Sequence, residues 1–539
     1  MSSFAPAVVV ASHRSALPPA DATVQQLWEV IGHQAQTIEQ LQQRVEWFTR
    51  QIFGHKSERF APEPPPEQMH LGQVLGELPV PEHQPAPGVQ VPGHRRAKPA
   101  SDFADEGAGA SFFDETKVPV HTIEVPNPEV QGLEPDQYEV VGQKVSHRLA
   151  QRPGAYVVLR YVRPVVKLRQ TQRLVCPPAP EGVLQGSRAD VSFVAGLVVD
   201  KFRWHLPLYR QHQRLLDAGF RISRPWLTQL VQQAAQLLQP VYEAQLASVL
   251  ASRVKAVDET PIKAGREEAG KMRTAYFWPV YGEGDEICFA FFESRRHEHV
   301  HHLLGQQGPP GAVILSDGYG AYQRYVHKTG ATQARCWVHC RRNFNEALGV
   351  EPEAASWALR QIQRLYEVER QAREQCKAQP KTRRETLRKA RHDHARPLVQ
   401  AFFEWVEARL ADQGLLPSNP LTKALAYARQ ARAGLEVFLD DADVALDTNH
   451  LENAIRPVAL GRRNWLFCWT EVGAQHAGML QSLISTCRLH DIDPYTWFVD
   501  VLQRVGQHPD SRVAELTPRQ WKQHFADQPL RSALHGCAL

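Results

Sequence analysis

The chain has 539 residues and a formal net charge of +4, a length that allows about three to five domains at ~100–200 residues each. Charged residues make up 22% and hydrophobic residues 43% of the chain, which argues against a wholly disordered or a membrane-embedded protein. The sequence has no apolar run of the ~18 residues that a membrane span needs. The N-terminus lacks the basic region of a signal peptide, and the eight cysteines are too scattered for a disulfide framework. We therefore expect a cytoplasmic protein in a reducing compartment, with no membrane partner.

The N-terminal part of the chain predicts an oligomerisation segment. Residues 1–23 read as a flexible tail. Residues 24–60 predict a coiled-coil helix, because apolar residues recur at heptad-like spacings from Val24 to Ile52. A single amphipathic helix packed on another domain would show a similar pattern. The proline-rich composition of residues 61–115 predicts a linker.

The next part of the chain is basic. Between residues 141 and 240 there are 15 Lys and Arg against four Asp and Glu. Such an excess is typical of a surface that contacts the DNA phosphate backbone. A solvated basic face without a partner is the alternative.

Within this basic part, residues 116–190 predict a small β domain and residues 191–250 a helix-turn-helix DNA-binding region. Two short arginine-containing helices separated by a glycine-containing turn favour that motif, although an ordinary αα-hairpin has the same pattern. The predicted β segments are 155–163 and 165–175, and the predicted helices are 191–201, 206–218, 223–238 and 240–251. The candidate DNA-binding residues are Arg210, Arg214, Arg221 and Arg224.

From residue 251 the order of predicted elements becomes that of a ribonuclease-H-like fold. A first part at 251–340 contains strands at 254–260, 274–281, 286–293, 312–317 and 332–337. A helical insertion at 341–447, a last part at 448–505 that carries a catalytic helix, and a C-terminal tail at 506–539 follow it. The fold class is therefore α/β: a ribonuclease-H-like core with a helical insertion, preceded by a coiled coil and a β/helix-turn-helix region.

Three acids stand where such a core would place catalytic groups. Asp258 lies in the first strand and Asp317 ends the fourth, and these strands are neighbours in the fold. Adjacent carboxylates repel unless a cation lies between them, and paired Mg²⁺ ions suit in-line attack at a phosphodiester. Glu452 is the third candidate, on a helix whose polar face also carries Asn449 and Arg456. Each acid alone is more often structural; together, each in the expected element, they predict a metal-dependent nuclease site.

Several segments resemble the DDE transposases of the insertion-sequence 66 family. They comprise Ile52–Arg59, Val257–Pro261, the SDGYGAY sequence at 316–322, Cys336–Phe344, 449–469 and 480–502. They occur in one order and cover about residues 24–505.

The resemblance implies a transposase that cleaves double-stranded DNA at the ends of an insertion sequence and transfers the freed strand into target DNA. It implies Asp258, Asp317 and Glu452 as the catalytic triad and as ligands of Mg²⁺, with Mn²⁺ as an alternative ion. It further implies a nucleoid-associated location, self-association through the coiled coil, and small accessory proteins of the same element.

The chain departs from the family in one region. Members usually carry a cysteine-rich zinc-binding segment before the helix-turn-helix, whereas Cys176 is the sole cysteine between residues 101 and 250. We therefore expect no zinc in this N-terminal module. The departure keeps open a catalytically decayed or repurposed DNA-binding protein as an alternative. A plain metal-dependent nuclease is a third hypothesis, which explains the acids but not the coiled coil and basic region.

Three further groups of residues carry weaker signals. Arg456, Arg462 and Arg463 are candidates for binding DNA phosphates, with a solvated basic surface as the alternative. Cys336, His339 and Cys340 have metal-like spacing but no evident fourth ligand, and His339 is predicted as an active-site neighbour. A polar loop is a better interpretation than a metal site for His297, His299, His301 and His302.

Overall fold

The computed structural model describes residues 112–116, 118–152, 154–268, 271–378, 380–411, 416–464 and 466–536. Two β-sheets with helices packed around them make up this part of the chain. The strands are β1 (Val120–Glu124), β2 (Tyr138–Arg152), β3 (Ala155–Leu168), β4 (Leu174–Val175), β5 (Val254–Val257), β6 (Thr260–Glu268), β7 (Lys271–Tyr281), β8 (Ile287–Phe292), β9 (Val313–Ser316), β10 (Thr332–Arg335) and β11 (Phe467–Cys468). The helices are α1 (Val191–Phe202), α2 (Leu208–Asp217), α3 (Arg224–Ala251), α4 (Glu298–Leu304), α5 (Gly320–Thr329), α6 (Trp337–Ala347), α7 (Pro352–Ala378), α8 (Arg383–Ala390), α9 (Arg396–Ala411), α10 (Pro420–Asp440), α11 (Asn449–Asn464), α12 (Glu471–Leu489), α13 (Pro494–Arg504) and α14 (Pro518–His524).

The predicted N-terminal segments lie outside the described residues. This holds for the tail (1–23), the coiled-coil helix (24–60) and most of the linker (61–115). Among the residues that are described, no helix has the length and apolar character needed to cross a bilayer.

The smaller sheet is built on a long antiparallel pair, β2 and β3, with β1 parallel to β3 and β4 antiparallel to it. The sequence predicted two segments on either side of Pro164, but β3 is one strand that runs through this proline. Proline donates no ladder hydrogen bond and is tolerated where a strand has an open edge. On the edge of β3 away from β2, β1 pairs as far as Val162 and β4 begins to pair at Val166, which leaves Pro164 between them.

The helices after this sheet match the predicted order but not every boundary. The helices predicted at 223–238 and 240–251 are one helix, α3, with Pro240 inside it. An interior proline costs a backbone hydrogen bond. Leu238 and Val241 are both fully buried on either side of the proline, so packing of the apolar face stabilises the helix across it.

The larger sheet centres on one strand that is interrupted at the predicted catalytic position. β5 and β6 pair with the same strand, β7, in a single antiparallel register: Val257 is opposite Val280 and Thr260 is opposite Phe277. Asp258 and Glu259 lie in the interruption. β8 pairs with β7, so the order across the sheet is β10, β9, β5/β6, β7, β8, with β11 beside β6.

Two parallel pairings fix the position of the acids. β9 runs parallel to β5, with Val254 opposite Val313 and Ala256 opposite Leu315. β11 runs parallel to β6 further along, with Phe467 opposite Lys263. The first and fourth strands of the predicted core are therefore neighbours, and their carboxyl ends lie at the same point of the sheet.

The segment between β10 and β11 is helical; α6 begins at Trp337, before the insertion predicted at 341–447, and α7–α10 lie within it. Aromatic residues of α6, α7 and α9 form its core; the ring centroids of Trp337 and Phe402 are 5.4 Å apart and those of Trp357 and Trp405 are 4.4 Å apart. The sequence predicts a C-terminal tail at 506–539, but the described residues of this segment, 506–536, are folded. The buried Trp521 of α14 donates from its indole to the Asp500 carboxylate of α13 at 2.6 Å.

Candidate metal centre

Asp258 and Asp317 follow strands whose residues are all buried, β5 and β9. Because those strands are parallel neighbours, the two side chains meet where the strands end. Carboxylate oxygens of Asp258, Glu259 and Asp317 all lie within 4.8 Å of one another. Among the described residues this trio is the group of His, Cys, Asp and Glu side chains arranged to hold a metal ion.

Local backbone contacts hold the two aspartates. The Asp258 N–H donates to the Pro279 carbonyl at 3.3 Å, and the next N–H donates to the Asp258 Oδ1 at 2.7 Å. The Tyr319 N–H donates to the Asp317 Oδ1 at 2.8 Å across Gly318. Gly318 has a φ of +100°, a backbone conformation that residues with a side chain rarely adopt. Glycine is therefore required at this turn.

Glu259 is the member of the trio that sequence reasoning missed. Its side chain is 1% exposed, and one oxygen is 3.3 Å from the Arg295 guanidinium. The other oxygen, Oε1, is buried without a hydrogen-bond partner. Its position directly after Asp258 could have indicated a role at the site. However, successive residues of a strand point to opposite faces, so the sequence predicts that Glu259 faces away from Asp258. The interruption between β5 and β6 removes that alternation.

Burial and the repulsion of neighbouring acids make Asp258 and Glu259 difficult to ionise without a cation. Burial raises the pKa of Asp258 to about 6, and the charges of Asp317 and Glu452 add to the shift, while the Glu259 backbone N–H and Arg295 oppose it. Burial raises the pKa of Glu259 to about 7; Arg295 lowers it, but Asp317 and Asp258 raise it. Oxygen-rich, negatively charged sites of this kind suit Mg²⁺, and the partnerless Oε1 of Glu259 is an unused ligand atom. The residues present therefore fit a divalent ion.

Glu452 lies near this trio but is not part of it. It is in the first turn of α11, whose buried face carries Leu451, Ile455 and Val458. The exposed Asn449 and Arg456 lie on the other side of the helix, as the sequence predicted. The charge of Glu452 contributes to the raised pKa of Asp258, so the structure brings the third acid within electrostatic range.

The start of α11 is anchored by Cys336. The backbone N–H and the hydroxyl of Thr448 both donate to the Cys336 Sγ at 3.3 Å. The Glu452 N–H in turn donates to the Thr448 carbonyl at 2.9 Å. Cys336 therefore has a positioning role, and its thiol holds the turn that presents Glu452.

His339 lies in α6 with its Nδ1 buried and without a hydrogen-bond partner. Burial lowers its pKa, while the charges of Asp317 and Glu452 oppose the shift. The predicted neighbour is thus within electrostatic range of two of the three acids. Cys340 is fully buried.

The histidine-rich segment packs into the protein. The His299 ring stacks on Phe292, with centroids 4.6 Å apart, and its Nε2 is 2.7 Å from the Ser294 hydroxyl. The His301 ring lies 5.1 Å from that of Tyr325. The presence of His299 and His301 in this segment is therefore explained by their packing contacts.

The candidate DNA-binding arginines differ in their surroundings. Arg210, Arg221 and Arg224 are exposed on α2, α3 and the connection between them. Arg214 is exposed but lies 3.6 Å from the Asp200 carboxylate, so part of its charge is neutralised. Arg462 donates to the Pro261 carbonyl at 2.7 Å. Arg463 lies in α11, and its side chain is outside the described part of the structure.

Comparison with known proteins identifies the class. A family model described as "Transposase IS66 family" matches residues 186–476, and "IS66 C-terminal element" matches residues 482–519. "Transposase C of IS166 homeodomain" matches residues 40–102, across the predicted coiled coil and linker. The description of this model names a DNA-binding module, and a match of this kind was not predicted for that segment.

Relatives cover most of the chain. Uncharacterized protein y4hP of Sinorhizobium fredii is 31% identical over 412 residues, which are 72% of this chain and 72% of the relative. Uncharacterized protein y4jD of the same organism is 30% identical over 411 residues, 72% of this chain and 76% of the relative. The family-model matches place the chain in the transposase class. It belongs to the IS66 transposase family.

Proposed function

We propose that this protein is a DDE transposase that cleaves DNA at the ends of an insertion sequence and joins the freed strand to target DNA by two-metal catalysis. The observation that carries the proposal is the trio Asp258, Glu259 and Asp317, whose oxygens lie within 4.8 Å of one another at the ends of two parallel strands. Glu452 on α11 is the third acid of the triad, and Glu259 is an additional carboxylate of the site.

The strand order supports a ribonuclease-H-like core. The strand that bears Asp258 has an antiparallel hairpin on one side and the parallel strand before Asp317 on the other. The helix that carries Glu452 leads into β11, which pairs with the continuation of the Asp258 strand. Asp258 and Asp317 thus come from neighbouring strands, and Glu452 comes from a helix close enough for its charge to raise the pKa of Asp258.

Mg²⁺ or Mn²⁺ held by these carboxylates would activate the attacking hydroxyl and neutralise charge that develops on the phosphate. Arg456 is exposed one turn after Glu452, where it can bind a DNA phosphate next to the site. Arg462 fixes α11 against the strand after Asp258 through the Pro261 carbonyl. His339 lies within electrostatic range of Asp317 and Glu452, whose charges act on its imidazole.

The exposed arginines of α2 and α3 support binding of double-stranded element ends by this helix pair. Arg210, Arg221 and Arg224 supply charge for phosphate contacts. Self-association through residues 24–60 and the participation of small accessory proteins remain proposals from the sequence. The domain limits given above are proposals of the same kind.

The test is strand cleavage and joining on a labelled element end with Mg²⁺, comparing the natural chain with Asp317→Asn. We expect the variant to lose about 10²–10³-fold or more of the activity, since the transition-state charge is no longer neutralised, while DNA binding is retained. Asp440→Asn is the matched control, because this exposed carboxylate pairs with Arg396 away from the trio. It should keep full activity.

Equal activity in the natural chain and Asp317→Asn would remove Asp317 from the site and contradict the proposal. DNA binding with no activity in either protein, with the accessory proteins supplied, would favour the repurposed DNA-binding protein instead.

A further inference from the structure

Two exposed tryptophans, each with an arginine over its ring, lie at the surface near the end of α11. Trp469 is 57% exposed, and the Arg266 guanidinium carbon is 4.9 Å from its ring centroid. Trp204 is 65% exposed, and Arg203 is 4.9 Å from its ring centroid. Large aromatic side chains are usually buried, so two exposed Arg–Trp pairs suggest an interaction surface.

The aromatic residues after α11 are exposed on either side of a half-buried residue. Phe467, in β11, is 49% exposed, and Trp469, just beyond the end of β11, is 57% exposed, while Cys468 between them is half-buried. The two rings meet edge to face with centroids 5.9 Å apart. The sequence around Trp469 thus builds a small aromatic surface.

The second tryptophan is tied to the same end of the helix. The Asn464 side-chain amide, at the last position of α11, donates to the carbonyl of His205 at 3.2 Å. His205 directly follows Trp204 in the chain. We call Trp204, Phe467 and Trp469, with Arg203 and Arg266, the aromatic platform.

The charge around the platform is suited to a polyanion. Lys263 is exposed on β6 directly opposite Phe467 in the strand pairing. The nearby Glu471 is paired with Arg273 at 3.2 Å, so its charge is balanced. Exposed aromatic rings combined with arginine and lysine are the chemistry that binds single-stranded nucleic acid, because bases stack on the rings and the cations follow the backbone.

The platform lies at a defined distance from the acid trio. Four residues of strand separate Glu259 from Lys263, which is about 13 Å at 3.3 Å per residue. Because nucleotides are about 3.4 Å apart in a stacked duplex and further apart in an extended unpaired strand, at most about four nucleotides span that distance.

We propose that the aromatic platform stacks unpaired bases of the DNA strand, within a few nucleotides of the end that occupies the acid trio. The identity of that end rests on the proposed function, but the stacking itself can be measured without catalysis. The platform would hold the terminal base pairs open and fix the strand in register with the carboxylates.

The experiment measures binding of two fluorescent probes, single-stranded dT12 and a 12-base-pair duplex, to the full chain by anisotropy. Trp469→Leu keeps apolar bulk but loses the aromatic face, and Trp469→Phe keeps a ring. We expect Trp469→Leu to bind dT12 about tenfold more weakly, with duplex affinity unchanged and Trp469→Phe close to the natural chain. Trp204→Leu is a second variant with the same expected pattern.

Unchanged dT12 affinity in both leucine variants would overturn the proposal. So would equal weakening of dT12 and duplex binding, since that would show general loss of phosphate contacts. A changed oligomeric state in size-exclusion chromatography with unaltered dT12 binding would assign the surface to protein association instead. Failure of the Asp317→Asn test would not alter these binding results, so the two proposals fail separately.

Discussion

Two buried glutamates of this protein have opposite surroundings. Glu369, in the helical segment after β10, is 7% exposed at its side chain and accepts hydrogen bonds from Arg391 Nε at 3.0 Å and Nη2 at 2.8 Å. Glu259, between β5 and β6, is 1% exposed and has one contact with Arg295 at 3.3 Å and one oxygen without a partner. Both are buried carboxylates, but Glu369 accepts hydrogen bonds at both of its oxygens, whereas Arg295 contacts only one oxygen of Glu259.

The pKa values follow this difference. Burial alone would raise the pKa of Glu369, but the hydrogen bonds and charges of Arg391 and Arg373 bring it below its ordinary value. Burial raises the pKa of Glu259 to about 7, and the neighbouring aspartates add to the shift. A carboxylate with a complete set of donors stabilises the fold, whereas one without them is suited to an external cation. The comparison therefore separates an acid that is satisfied within the fold from a candidate metal ligand.

The largest expected effect is on stability in the neutralised pair. Arg391→Ala leaves the buried Glu369 charge without its bidentate partner and also removes the donor to the carbonyls of Phe438 and Asp441. We expect a loss of about 3–5 kcal/mol in the free energy of unfolding, measured by urea denaturation. Arg373→Ala is the control, because Arg373 is 55% exposed and contacts Glu369 from the surface at 3.1 Å. It should cost about 1 kcal/mol or less, and equal losses would contradict the distinction between the two contacts.

The second prediction concerns the acid trio. Mg²⁺ should stabilise the natural chain, since an ion that binds only the folded state adds about 3 kcal/mol at 100 times its dissociation constant. Glu259→Gln should reduce this gain, because it removes a ligand charge, without lowering the stability measured in EDTA. The measurement is thermal denaturation with and without Mg²⁺, with Glu369→Gln as the matched substitution. The latter should lower stability in EDTA and leave the Mg²⁺ increment intact.

Much of the site could be predicted from the sequence because its position follows from local patterns. Short buried runs end at Asp258 and at Asp317, and the element order implies that these strands are adjacent; β5 and β9 are indeed parallel neighbours. The amphipathic pattern of 449–464 likewise predicts the helix that carries Glu452 and the polar face on which it lies.

The remainder depends on contacts distant in sequence. No local signal shows that Arg295, after β8, returns to Glu259, or that Cys336 anchors the turn before α11. Pro164 predicts the end of a strand and Pro240 the end of a helix. In the structure an open strand edge accommodates Pro164 and a packed helix face accommodates Pro240. The coiled coil at 24–60 stays a prediction.

The smallest expected effect is the pH dependence of the Mg²⁺ increment. The folded pKa values of Asp258 and Glu259, about 6 and about 7, lie above the ordinary values of 3.8 and 4.5. Between about pH 4 and 7 the metal-free folded state thus holds more protons than the unfolded state, so these two groups make stability fall as pH rises through that window. Mg²⁺ must displace those protons in order to bind. For each proton displaced, its dissociation constant should therefore rise by up to tenfold per pH unit below pH 7, which is a loss of about 1.4 kcal/mol in binding free energy.

Calorimetric titrations at pH 5.5, 6.5 and 7.5 in buffers of different ionisation enthalpy would count the protons released. Glu259→Gln should release about one proton fewer than the natural chain at pH 6.5, and an unchanged count would mean that Glu259, despite its burial and its partnerless oxygen, takes no part in binding the ion.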